Sequence, residues 1–293
     1  MNYAKSRNHT KMKYSELRIV LRNRSFLLGI LILTPIVLIA VFAPFITPYD
    51  PIRLSIEEKL LPLSWKHPFG TDEFGRDILS RIVYGSRISL RVGGITAIFV
   101  CLLGILLGSV SGYYRKVDVV MMRIVDGLII FPGLLLGIMI MAAVGPSEMN
   151  VILAMTILYT PRIARVVRAS VLEAKTMDYT DAARVLGLGN LRILFLHILP
   201  NCLGPVIVQV TFGFAWAIMT EAGMSFLGLG TPPPAPSWGN IISDGREFIR
   251  TAPWIMMFPG IMISITVLGL NLIGDGLRDI LDPRLRHTIG TSM

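Results

Sequence analysis

The chain has 293 residues, of which 53% are hydrophobic and 16% charged. Soluble domains sit near a quarter charged, and a mean hydropathy of +0.64 excludes an ordinary water-soluble enzyme and points to an integral membrane protein. A net charge of +9 would fit nucleic acid only if it clustered on a polar, foldable domain; here the basic residues edge apolar runs, so no nucleic-acid partner is expected.

The chain starts with a basic tail, 1–25, carrying Lys5, Arg7, Lys11, Lys13, Arg18, Arg22 and Arg24. The apolar run that follows is too long for the core of a secretory leader and reads as a first membrane span. A helix needs about 20 apolar residues to cross a bilayer core, and only helices or closed barrels satisfy their backbones there. Strand-like alternation is missing, so the predicted class is all-α. Candidate spans fall at 26–46, 92–112, 124–144, 150–167, 203–220 and 254–274, six in all. The fourth is the weakest, because Pro161, Arg162 and Arg165 crowd its end. Most Lys and Arg then fall in the segments on the side of the two termini, which predicts both termini cytoplasmic.

The segments between spans differ in kind. Residues 49–91 form a long outer segment containing HPFGTDEFGRDILSRIVYGSRISL. Ile78, Leu79, Ile82 and Val83 recur at helical spacing opposite Asp77 and Arg81, which predicts an amphipathic helix lying at the membrane surface. Residues 145–149 make a tight turn. Residues 222–253 carry Trp238 and are followed by Trp254, residues suited to a membrane edge. The second span carries Gly104, Gly108 and Gly112 four apart, a helix-packing seam where a partner backbone approaches closely, within the chain or between subunits.

Chemistry-bearing motifs are scarce. No Lys follows a Gly, so the chain has no P-loop, and its four histidines are scattered, so it has no HExxH. Gly223-Met-Ser225-Phe-Leu227 lacks the last glycine of a nucleophile elbow. Cys101 and Cys202 have no CxxC neighbour, and no metal site is expected. Asp126, Glu221 and Asn271 lie near span ends. They read either as caps and ion-pair partners that reach an interface or as the lining or gate of a path.

Between the fourth and fifth spans lies DAARVLGLGNLRILFLHILP, Asp181 to Pro200. Residues 170–186 are helix-compatible, Gly187 and Gly189 interrupt, and 191–199 resumes an apolar helical pattern. Two short helices at a glycine turn, held under the membrane, make a knob. Ala182 and Ala183 keep one side small for another protein's surface, and Asp178, Asp181 and Arg184 offer polar docking contacts.

The spacing Asp181-Ala182-Ala183, three residues, Gly187, nine residues, His197, one residue, Leu199-Pro200 resembles the EAA motif of ABC importer permeases. It departs at Asp181, where the motif has Glu. HPFGTDEFGRDILSRIVYGSRISL, AGMSFLGLG and NLIGDGLRDILDPRLR resemble the dipeptide, oligopeptide and nickel branch of the same family, over about 20–287. The resemblance implies a type I ABC importer permease fold in a bacterial inner membrane. It implies a shared core at 86–278, an added first span and outer segment at 26–85, and a cytoplasmic tail at 279–293. It implies as partners a second homologous permease, two P-loop ATPases that bind the ATP and Mg, and an extracytoplasmic solute-binding protein. This chain would hold no cofactor and catalyse nothing. In the knob, Asp181 would meet a basic group of an ATPase, Ala182 and Ala183 would be contact surface, and Gly187 would free the turn. His197 would anchor the loop, and Leu199-Pro200 would start the next span at a set angle. The substrate is read as peptide, with nickel or a metal chelate as the alternative. A stand-alone secondary transporter and an intramembrane enzyme are the remoter readings.

Overall fold

A computed structural model describes residues 23–281. The basic tail up to residue 22 and the end of the C-terminal tail, 282–293, lie outside the described residues.

Helix α1, Arg24–Val41, begins where Asn23 Oδ1 accepts the Phe26 amide at 2.9 Å. Only Gly29, Ile36 and Ala40 are buried, so the rest of the described chain leaves most of the helix surface uncovered. The chain then makes a short turn at Ala43–Ile46 and an irregular outer segment, 47–77, folded on itself by an antiparallel bridge between Thr71 and Asp77 and by backbone bonds such as Leu60 to Asp72 and Thr71 to Leu61.

Helix α2, Ile78–Tyr113, runs 36 residues without a break, about 54 Å at 1.5 Å per residue. It overturns the surface helix expected around Ile78–Val83. Those residues are the first turns of α2 itself, standing beyond the apolar band and covered on every side: Ile78, Arg81, Ile82 and Val83 are all buried. Asp77, expected on a solvated face, is the buried N-cap, and its Oδ2 accepts the Ser80 amide and hydroxyl at 2.8 Å each.

Helices α3, Arg115–Ile130, and α4, Gly133–Val144, replace the expected straight third span with a pair bent by 94°. Pro132 has no N–H to continue the ladder and forces Phe131 into an extended conformation, φ −74° and ψ 133°. Helix α5, Glu148–Ala174, passes through Pro161 unbroken. Arg165, one of the residues that made the fourth span look weak, reaches Asp126 of α3 at 2.5 Å, and Arg168, one turn on, reaches Asp118 at 2.5 Å. Helix α6, Asp178–Val185, follows after a turn, so the expected continuous helix across 170–186 is two helices. Helix α7, Asn190–Phe226, α8, Trp238–Gly245, and α9, Trp254–Leu281, complete the chain.

Among the described residues five helices are long and apolar enough to cross a membrane, and the crossings number six where the bent α3–α4 pair is counted as one broken span. The start of α1 and the end of α9 lie together, where Asn23 Nδ2 donates to Asp279 Oδ2 at 3.3 Å. Leu281 also lies beside Gly204 near the start of α7. At the opposite end Arg76 and Arg81 meet Asp244, and Trp254 Nε1 donates to the Thr71 carbonyl at 3.2 Å. Residues 23 and 281 therefore share one end of the bundle with α6, and residues 47–77 share the other end with α8.

Candidate functional site

The segment from Lys175 to Pro200 forms a protruding knob with two distinct faces. Its inner face starts at the α5–α6 turn. Thr180 is fully buried and its Oγ1 donates to the Ala174 carbonyl at 2.8 Å. That bond occupies one of the carbonyls left free at the end of α5. Ala183, one turn on, is buried against Val171, Ala174, Ile193, Leu194, Ile198 and Cys202. Its methyl is small enough for α6 to lie flat on the body. Of the two alanines expected to form contact surface, only Ala182 is exposed; Ala183 faces inward.

The end of α6 explains Gly187. Its φ is +74°, a conformation that costs a side-chain-bearing residue about 1–2 kcal/mol. The Gly187 amide donates to the Arg184 carbonyl at 2.9 Å and the Leu188 amide to the Ala183 carbonyl at 3.2 Å. This pair of bonds is a Schellman termination, with Leu188 packed on the buried cluster beyond it. The chain restarts at Asn190, whose Oδ1 accepts from the Tyr113 hydroxyl at 2.9 Å.

The outer face is apolar and open. Val185 is 88% exposed, Leu186 78%, Leu191 63% and Leu196 62%, and Phe195 and Tyr179 are also exposed. Asp178, Asp181 and Arg184 surround this crest, all exposed, with Arg184 Nη1 donating to Asp181 Oδ1 at 2.6 Å. Sequence reading found the polar residues and missed the crest. Its signal was present in the bulky Val185, Leu186, Leu191, Phe195 and Leu196, placed around Gly187 and Gly189 and left exposed by the rest of the described chain.

Pro200 does not start a span. Helix α7 runs through it from Asn190, with one wide turn at Ile193–Ile198. Pro200 lacks an amide, and its ring crowds the carbonyl four residues back; a wide turn in front of it accommodates both. Leu199 and His197 are half-buried in this turn, and the His197 carbonyl accepts from Asn201 Nδ2 at 2.7 Å.

The other candidates sit elsewhere. Gly104, Gly108 and Gly112 face α5, against Ile163, Ala164, Val167 and Val171. Asp126, Glu221 and Asn271 do not converge. Asp126 is exposed and pairs with Arg165, and Asn271 is half-buried on α9. Glu221, expected to reach an interface, is fully buried. Its Oε1 accepts from the Ser225 hydroxyl at 2.7 Å and its Oε2 from the Ser89 hydroxyl at 3.2 Å. Ser89 in turn accepts the Trp238 amide at 3.2 Å, so one carboxylate ties α2, α7 and α8. Trp238 is itself fully buried, with Nε1 donating to the Ile82 carbonyl at 3.2 Å, and not at a membrane edge.

A second buried polar centre, not anticipated from sequence, holds the outer segment to the bundle. Asp72 is fully buried and accepts from Arg76 Nε at 2.6 Å and Arg81 Nη1 at 2.5 Å. Both arginines also reach Asp244, at 3.1 and 2.9 Å. A buried carboxylate requires such partners. His67, also buried, faces Asp77 through Nδ1 at 2.9 Å.

An open apolar crest on a polar knob, at the end of the bundle, is an exposed apolar patch of the kind that marks interaction surfaces. Comparison with known families identifies the chain. The family model described as binding-protein-dependent transport system inner membrane component matches residues 102–287. A second, described as the N-terminal TM domain of oligopeptide transport permease C, matches residues 17–62. The chain belongs to the family of binding-protein-dependent transport system inner membrane components. It is a permease subunit. Among its relatives, a Brucella abortus protein named as a peptide transport system permease is 50% identical over 92% of this chain and 91% of its own. The dipeptide transport system permease of Alkalihalophilus pseudofirmus is 45% identical, over 90% of this chain and 88% of its own. That of Escherichia coli K12 is 43% identical, over 91% of each. Among solved structures, a chain of the MetNI methionine ABC transporter in an inward-facing conformation aligns with a TM-score of 0.59 at 18% identity. The alignment covers 70% of this chain and 98% of that one, a likeness of fold.

Proposed function

We propose that this permease subunit works in an ATP-driven importer of dipeptides or short peptides, in a bacterial inner membrane with both termini cytoplasmic. It pairs with a second homologous permease. Two P-loop ATPases that carry ATP and Mg dock beneath, and an extracytoplasmic binding protein delivers the substrate. The observation that carries this reading is the apolar crest of Val185, Leu186, Leu191 and Leu196, held rigidly out of the bundle at the end shared by residues 23 and 281.

In mechanism, α6 works as a coupling element. Its exposed residues, Asp178, Asp181, Ala182, Arg184 and the apolar crest, seat in a cleft of an ATPase. Thr180 and Ala183 fasten the helix to α5 and α7, so a displacement of the cleft moves those spans as a unit. Coupling is then a binding free energy that biases the bundle between inward-open and outward-open states. The chain itself hydrolyses nothing. Residues 86–278 form the moving core. Residues 26–85 add a lipid-facing helix and an outer segment, locked through Asp72, Arg76 and Arg81 to Asp244. Peptide relatives at 42–50% identity over about nine-tenths of the chain support the substrate class.

The test is reconstitution. The chain is placed in liposomes with its partner permease, the two ATPases and the binding protein, and accumulation of a labelled dipeptide is followed. Accumulation that requires ATP and binding protein is expected. Uptake by this chain alone would replace the reading with a stand-alone transporter, and ATP-driven uptake of nickel chelates but not peptides would replace the substrate.

A further inference from the structure

At the inner end of the bundle, beside the knob but not on its crest, lies a cavity of about 600 Å³ lined by Tyr113, Arg115, Lys116, Lys175, Arg184 and Asn190, with Tyr114 and Val117 completing the wall. Four of its side chains are cationic. Lys175 is held in place, with Nζ donating to the Tyr113 carbonyl at 2.8 Å and lying 5.2 Å from that ring's centre. Arg184 is partly neutralised by Asp181. Arg115 and Lys116 are exposed and form no ion pair among the described residues. Nearby Asp118 offers no neutralisation, because both its oxygens are taken by Arg168. The cavity therefore holds an uncompensated positive charge.

Its depth indicates what meets that charge. The apolar stretch of α2 ends at Gly112, so Tyr113, Tyr114, Arg115 and Lys116 stand where hydrocarbon gives way to headgroups, the level that aromatic and basic residues favour. From Lys116 an apolar stripe runs along α3 at i+4 and i+8 through Val120, 59% exposed, and Ile124, 55% exposed. A cationic cavity at headgroup level, continuous with an exposed apolar track leading into the membrane, matches a phospholipid in both its parts. Basic recesses between spans on the cytoplasmic side take anionic headgroups by the same physics.

We propose that this cavity binds the phosphate of an anionic phospholipid from the inner leaflet, with Arg115 and Lys116 as the principal contacts and an acyl chain along Val120 and Ile124. Lys175 belongs to the turn that joins α5 to α6, so a bound lipid also braces the knob. The placement at the inner leaflet rests on the orientation proposed above; the binding itself needs neither ATP nor transport.

The full-length chain is reconstituted in nanodiscs of phosphatidylcholine and phosphatidylglycerol, and the lipids it retains on release are identified by native mass spectrometry. The wild type is expected to retain phosphatidylglycerol selectively. The double substitution Arg115→Gln with Lys116→Gln is expected to reduce that selectivity about thirtyfold, from two cations near the headgroup plane. Arg123→Gln, which removes an exposed cation of α3 outside the cavity, should leave it unchanged. Equal thermal melting of all three establishes that the variants are folded. Equal retention by wild type and double variant would overturn the proposal. So would loss of the lipid on adding inorganic phosphate, which would make this a free-anion site, or its displacement by the partner ATPases, which would assign the cavity to the protein interface. A failed transport assay with selective lipid retention intact would count against the importer reading and not against this one.

Discussion

A Cβ placed on Gly108 of α2 would meet the carbonyl oxygen of Ala164 on α5 at 2.5 Å. One turn either way there is no more room: a Cβ on Gly104 would meet the Ile163 side chain at 2.5 Å, and one on Gly112 the Val171 side chain at 2.8 Å. The two backbones touch, and the seam that looked open to either an intramolecular or a subunit role faces a helix of the same chain. Gly108→Val should therefore force the helices apart at a cost of about 1–3 kcal/mol or more. The readout is a lowered melting temperature in detergent and less monodisperse protein. Gly127→Val, where a new Cβ meets nothing within 4 Å, should melt like the wild type.

Glu221 makes a sharper chemical prediction. Its two oxygens serve Ser225 and Ser89, and all three residues are buried. Glu221→Leu strands those hydroxyls without an acceptor and should cost about 1–3 kcal/mol per stranded group, seen as a drop in thermal stability. Glu221→Gln keeps an acceptor in place and should recover most of it.

The outer segment should respond to pH through Glu73. Burial, and secondarily the charge of Asp72, hold its carboxyl above the ordinary range. The folded state then binds the proton more tightly than the unfolded one. This contribution is fully present below the unfolded Glu value and is lost as pH rises through the raised folded value. Glu58, held low by Lys66, runs the other way. Comparing wild type with Glu73→Gln isolates the first term. The wild-type segment 47–77 should become more open to protease from acidic to neutral pH, and the variant should change less.

Gly187 separates backbone conformation from docking. No heavy atom lies within 4 Å of a Cβ added there, so a substitution meets only the strain of φ +74°. Gly187→Val should uncouple substrate-stimulated ATP hydrolysis in the assembled complex, whereas Gly187→Asn, which tolerates a left-handed conformation, should retain most of it. Equal loss in both would mean that the exposed face at 187 matters and the turn does not.

Much of this was legible in the sequence, for identifiable reasons. Crossing helices declare themselves through long apolar runs, and Gly187 through its place after a short helical pattern. What stayed hidden depended on tertiary partners. Ala182 and Ala183 are chemically identical, and only the packing of α6 on Ile193 and Ile198 turns one outward and the other in. Arg81 and Asp77 looked like a solvated face, because nothing local to them reveals that Asp72, Asp244 and His67 wait to receive them. The break at Pro132 and the passage through Pro161 and Pro200 show the same limit. A proline names a weak point in a helix, and its surroundings decide whether the helix bends there.

The most direct measurement is ATP hydrolysis by the reconstituted complex, with and without peptide-loaded binding protein, carrying Val185→Asp on this chain. Val185 is 88% exposed, so the charge leaves the fold intact and alters only the crest. Coupling through the knob predicts that the variant assembles in the membrane with normal melting and loses its substrate-stimulated hydrolysis. Stimulation equal to the wild type would contradict it, and the knob would not be where this permease meets its motor.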